Sequence, residues 1–73
     1  MPNYHVQTTN DMAGFAAHVS LDLILVTGRV FNNGEVAYSV SQGGNPKNRN
    51  FEAILDMLKV ADGEITKHLE GNR

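Results

Sequence analysis

The chain contains no cysteine and no tryptophan. Without thiols it can hold no disulfide staple and no thiolate metal site. That absence fits a reducing compartment, and a cytoplasmic location is expected. Charge of either sign is also scarce. Six Lys and Arg against eight Asp and Glu leave a formal net charge of -2. A general phosphate-backbone binder carries a basic footprint that this chain lacks. The acidity is equally too mild for a DNA mimic. No basic segment leads into an apolar run, as a signal peptide requires. The longest near-apolar stretch, Leu23 to Val26, falls far short of the ~20 residues of a membrane-spanning helix. Seventy-three residues make one domain with a thin core. Such a core supplies only ~3–5 kcal/mol, so added stability is expected from self-association.

What is present is organised around Leu23 to Ser41. Two runs rich in β-branched and aromatic residues flank Asn32-Asn33-Gly34, which reads as a β-hairpin. Two registers are open. A two-residue Asn33-Gly34 loop pairs Asn32 with Glu35. A three-residue loop with Gly34 as a left-handed bulge pairs Phe31 with Glu35 and groups Val36, Tyr38 and Val40 with Ile24, Val26 and Val30. A one-residue slip exchanges the faces. Upstream, Tyr4, Val6 and Thr8 alternate with His5 and Gln7 as a short strand. Asn10-Asp11 breaks it. Met12 to Ala17 reads either as a short helix weakened by Gly14 or as strand. Phe15, Ala17, Val19, Leu21, Leu23 and Leu25 then keep a period of two, and a strand beginning near His18 is preferred. On this reading the odd set Leu21, Leu23, Leu25 and Phe31 opposes the even set Ile24, Val26 and Val30. The strand is then apolar on both faces.

Downstream, Gln42 to Asn50 is polar and turn-forming, hence a loop. Asn50 is a good N-cap. Phe51, Ile54, Leu55, Leu58, Ala61, Ile65 and Leu69 follow helical spacing. Gly71 can end the helix, and Asp62-Gly63 is a weak point within it. The expected fold is α+β: a small antiparallel sheet of three or four strands with one C-terminal helix packed on one face.

The best candidate binding element is the loop carrying Gly43, Gly44, Asn45, Lys47, Arg49 and Asn50. Glycine lets backbone amides approach a ligand, a helix N-terminus attracts anions, and Arg binds phosphate or carboxylate in a bidentate way. A nucleotide or other anionic ligand would suit it. The plainer reading is a solvated strand-to-helix connection, because no Walker or Rossmann spacing is met. His5, His18 and His68 show no metal-ligand spacing except Glu64–His68, better read as a surface charge contact, so no metal and no cofactor are expected. No elbow or triad order surrounds Ser20, Ser39 or Ser41, and no enzyme is expected. Most of Tyr4, Phe15, Phe31, Tyr38 and Phe51 are assigned to the core, with base stacking as the alternative. Arg29 could stack on Tyr38, pair with an acid, point into an interface, or lie on an exposed face.

From His18 to Ala61 the chain resembles the latter part of a double-stranded-RNA-binding domain. The likeness rests on strands followed by a loop with Gly43, Gly44, Lys47 and Arg49 that opens a helix. In size and architecture the whole chain also resembles small phage-encoded accessory proteins, including anti-CRISPR and other anti-defence inhibitors. That resemblance implies a single-domain, often oligomeric inhibitor acting on a host protein. The expected function is therefore a non-enzymatic binding protein working through protein–protein contact. A nucleotide-sequestering oligomer comes second and an RNA-binding module third. A homo-oligomer, most simply a dimer, is expected through Leu21, Leu23, Leu25 and Phe31, with no membrane contact.

Overall fold

The computed structural model describes residues 3–44 and 51–71. Four strands follow in order: β1 (His5–Asp11), β2 (Gly14–Leu21), β3 (Ile24–Phe31) and β4 (Val36–Gln42). They form one antiparallel sheet in the order β1-β2-β3-β4. The one helix among the described residues, α1 (Phe51–Gly71), then packs across β2 and β3. The fold is α+β as expected, with four strands.

Each hairpin has its own local cause. Asp11 pairs with Gly14, so Met12-Ala13 is a two-residue loop. The Asp11 carboxylate accepts the Ala13 amide at 2.9 Å and holds the turn. Met12 to Ala17 is therefore loop and strand, and the short-helix alternative is set aside. Leu21 pairs with Ile24, so Asp22-Leu23 is a second two-residue loop. Asp22 takes a φ of 54°, a left-handed conformation that Asp tolerates. The single strand expected from His18 through the hairpin is thus two strands. In the third hairpin the Phe31 amide donates to the Glu35 carbonyl at 2.8 Å, and the Gly34 amide to the Phe31 carbonyl at 2.9 Å. Of the two registers, the three-residue loop is the one formed, with Gly34 at a φ of 90°. The Asn33 side chain accepts the Glu35 amide at 3.0 Å, and Asn32 Nδ2 donates to the Met12 carbonyl, joining two loops at one end of the sheet.

Successive residues of a strand point to opposite faces, so the register sorts the side chains. Phe15, Ala17, Val19 and Leu21 lie beneath the helix with Ile24, Val26, Gly28 and Val30. Val19, Ile24 and Val26 form the core with Met57 and Ala61 of α1. Phe15, Ala17, Val30 and Ile65 form a second cluster beside it. Met57, which the expected helical stripe left out, is the largest fully buried side chain. Gly28 lets the Ile65 side chain lie close against the sheet. A Cβ there would lie 2.6 Å from Ile65 Cδ1 and 3.0 Å from Tyr38 Cε1. The helix is unbroken at Asp62-Gly63.

The odd set divides. Leu21 packs against the core on the helix side, Leu23 lies exposed in a loop, and Leu25 and Phe31 are on the open face. They share no common face, because the Asp22-Leu23 loop exchanges the parity of the alternation. The open face is otherwise polar or small: Gln7, His18, Thr27 and Ser39 form one row across it. His18 Nδ1 lies 3.2 Å from Thr27 Oγ1 within that row. Of the aromatics, Phe15 is buried and Tyr4 packs at the core margin, but Phe31, Tyr38 and Phe51 are exposed. They sit on the open face, an edge strand and the first turn of the helix, beyond the reach of the core.

Two glycine substitutions separate strain from collision. Gly34 has open space around it, so Gly34→Val should cost only the left-handed strain, roughly 1–3 kcal/mol. Gly14 has a φ of 133°, and a Cβ there would stand 2.0 Å from the Val30 carbonyl oxygen. Urea unfolding of Gly14→Ala should show the larger loss, although alanine is the smaller residue.

Candidate interaction surface

β4 is the edge of the sheet, and its backbone shows which groups are uncommitted. The Phe31–Glu35 bond closes the β3–β4 ladder at one end, and the Gly43 amide donates to the Leu23 carbonyl at 3.0 Å at the other. Antiparallel ladders alternate between hydrogen-bonded and non-hydrogen-bonded pairs. Counting between these two bonds, Ala37, Ser39 and Ser41 bond to β3. Val36, Tyr38, Val40 and Gln42 therefore turn their amides and carbonyls outward.

The side chains of those same residues lie on the helix side of the sheet, because Val36 pairs with Val30 and Val40 with Val26. Helix α1 does not extend over them. Val36, Tyr38 and Val40 keep 44%, 43% and 46% of their surface exposed. β4 carries no charged residue. Native edges are commonly blunted by charge, proline or a bulge, and β4 has none of these.

The facing flank of α1 completes a groove of about 530 Å³ lined by Tyr38, Leu55, Leu58, Lys59 and Asp62. Leu55 is 61% exposed there. The Tyr38 hydroxyl donates to Asp62 Oδ1 at 2.9 Å and closes one end of the groove. On the opposite flank, the Tyr4 hydroxyl donates to Asp56 Oδ2 at 2.6 Å. The helix is thus tied to both margins of the sheet by a tyrosine–aspartate pair. Partial burial, then the hydrogen bond to Asp62 and its negative charge, raise the Tyr38 pKa above 10.0. For Tyr4 the hydrogen bond to Asp56 is the main cause of a rise, followed by burial and charge. A more polar cavity of about 560 Å³ lies against Tyr4, Leu21, Glu52 and Asp56 and shares Leu55 and Lys59 with the groove.

Of the expected anion-binding loop, Asn45, Lys47, Arg49 and Asn50, including the N-cap reading of Asn50, lie outside the described residues. Gly44 has a φ of 81°, and the Gly43 amide is already bonded to Leu23. Arg29 is half-buried on the open face between Ala16 and Ala37. It cannot stack on Tyr38, which belongs to the other face. His68 stacks on Phe15 with ring centroids 4.1 Å apart, and Glu64 pairs with Lys67 at 3.8 Å. Among the described residues, no three His, Asp or Glu side chains gather as metal ligands. Among the described residues, no helix is long and apolar enough to cross a membrane. Compared with protein-family models, curated proteins and solved structures, the chain matches none.

The sequence reading placed the apolar surplus on the far side of the sheet. Leu25 and Phe31 are exposed there, and a second apolar surface lies on the helix side, beyond the helix. Two signals mark it: a strand without charge, and a helix whose Phe51, Leu55 and Leu58 extend its apolar sector past the core stripe.

The tyrosine clamps give a pH test. Each tyrosine keeps its proton more tightly folded than unfolded, so the associated stability is full below the unfolded value near 10.0 and is lost as pH rises through the folded value. The unfolding temperature should fall above about pH 10, with the slope reduced in the Tyr4→Phe, Tyr38→Phe double variant. A pH series of thermal melts checks this.

Proposed function

We propose that this protein is a non-enzymatic binding protein that acts through protein–protein contact, as an inhibitor or accessory factor. Its contact surface is the groove between β4 and α1. One observation carries the reading. The residues that line β4 with apolar side chains also hold its free backbone donors and acceptors, so one surface offers both burial and hydrogen bonding. Strand addition and groove binding by extended or helical segments use this pairing of features. An apolar patch rimmed by polar groups is characteristic of a contact site, and Lys59 and Asp62 supply the rim.

The two resemblances bear on the reading differently. Small phage inhibitors work by such contact, which agrees with it. The RNA reading needs basic residues that fall in the loop outside the described residues, and the surface described above is apolar.

The test places charge in the groove at a side chain the fold does not need. Leu55→Lys should shift the melting temperature by no more than about 2–4 °C, since a surface substitution costs within about 0.5 kcal/mol. It should reduce capture of the protein's partner from its native lysate at least about tenfold, the effect of losing one buried apolar anchor. Gln7→Lys on the opposite edge serves as control and should retain capture. Equal capture by Leu55→Lys and the unsubstituted chain would overturn the assignment of the groove.

A further inference from the structure

We propose that β4 pairs antiparallel with β4 of a second copy, about a two-fold axis at Ser39. The two sheets become one, and the two α1–β4 grooves become halves of a single cleft. This rests on the reading of the groove as the contact surface and narrows it: the second copy takes the outward backbone groups of β4, and the joint apolar cleft is what the dimer offers a partner.

Backbone, side chains and charge each select this pairing. The outward groups belong to Val36, Tyr38, Val40 and Gln42, as the bonds at the two ends of the β3–β4 ladder require. With the axis at Ser39, Tyr38 stands opposite Val40 of the second copy, and Val36 opposite its Gln42. Four hydrogen-bonded pairs form, exchanging about eight N–H···O bonds. Moving the axis to Tyr38 leaves only three such pairs and sets Tyr38 against itself. An aromatic residue across from a β-branched one is a favourable cross-strand pair. On the open face Ser39 meets Ser39, and Ala37 meets Ser41, all small enough to fit. The strand has no charge, so a two-fold axis brings no like charges together. The other edge does not offer this. β1 carries one large apolar side chain, Val6, and ends in Asp11.

The pairing has a geometric result. Helix α1 lies over β2 and β3. Strands are spaced ~4.8 Å apart, so the two helices stand roughly 19 Å from each other. That is about twice the distance between packed helices. The space between them has Val36, Tyr38 and Val40 of both copies as floor, with Leu55 and Leu58 of each on its flanks. Neither copy alone makes both walls.

The absence of cysteine makes the axis directly testable, because a single introduced thiol can be oxidised only to its copy. In this register Ser39 faces itself within disulfide reach, whereas Ala37 is offset from its counterpart by more than ~7 Å. Ser39→Cys should oxidise to a covalent dimer at least about tenfold faster than Ala37→Cys. Light scattering of the unsubstituted chain at micromolar concentration should give twice its 8.0 kDa mass. Val40→Pro removes an outward amide without touching the β3 ladder and should give the single-chain mass with an unchanged circular dichroism spectrum. Should that variant fail to fold, the two thiol variants still decide. A single-chain mass for the unsubstituted protein, or equal oxidation of the two thiols, would overturn the pairing. The two readings also fail separately. A monomer that loses its partner through Leu55→Lys removes the pairing and leaves the contact surface. A dimer indifferent to Leu55→Lys keeps the pairing and removes the contact surface.

Discussion

The structure depends on how closely α1 can approach the middle of the sheet. Ala17 and Gly28 are paired neighbours there and leave almost no side-chain volume on the helix side. Ile65 descends onto the Gly28 backbone, and Ala61, equally small, lies one turn before it. One turn earlier still, Met57 fills the space against Val19 and Val26. A flexible thioether suits a seam between a straight helix and a twisted sheet. Truncating a buried methionine typically costs about 2–5 kcal/mol, comparable with the whole stability of a domain this size. A few close contacts therefore decide whether the helix is docked at all.

Close seating has a lateral consequence. A helix about 10 Å across, pressed onto two strands, cannot also cover a sheet four strands wide. The margins are held by polar ties instead. Tyr4 reaches Asp56 from one side and Tyr38 reaches Asp62 from the other. Asp56 and Asp62 are six positions apart and lie on either side of the inward stripe of Met57, Ala61 and Ile65. The ties fit the rotation of α1 that the core contacts fix. That rotation turns Met57, Ala61 and Ile65 inward and leaves Leu55 at the rim of the groove beside Tyr38. The apolar margin on β4 is thus a by-product of the packing that makes the core.

Much of the fold was legible because two periods dominate the chain. The helix follows 3.6-residue spacing, and Asn32-Asn33-Gly34 marks its hairpin. The Asp22-Leu23 loop was not legible. Leu21, Leu23, Ile24 and Leu25 are apolar at both parities, so a two-residue turn can exchange faces without leaving a gap in the pattern. Only Asp22 signals it. Met57 was missed for a related reason. Apolar residues occupy more than half of the helix circumference, and spacing alone cannot tell the buried sector from the exposed one. The β4 surface needed the structure as well. The hairpin register groups Val36, Tyr38 and Val40 with the core strands, but whether a helix reaches them depends on its width and seat.

The order of elements has a consequence during synthesis. Every strand pairs with its neighbour in sequence, so the four-stranded meander needs only short loops to close and can assemble early. The element that covers it follows all four strands. Until Phe51–Gly71 has emerged, Val19, Ile24 and Val26 face solvent alongside Val36, Tyr38 and Val40, as one continuous apolar row. A nascent sheet of that kind exposes both a sticky face and an uncapped edge, the two features that drive misassembly between growing chains. The interval between making β4 and docking Met57 is therefore one in which the chain is open to misassembly. Its shortness, set by a connection of a few residues and a helix of about six turns, is a property under the same physical pressure as stability.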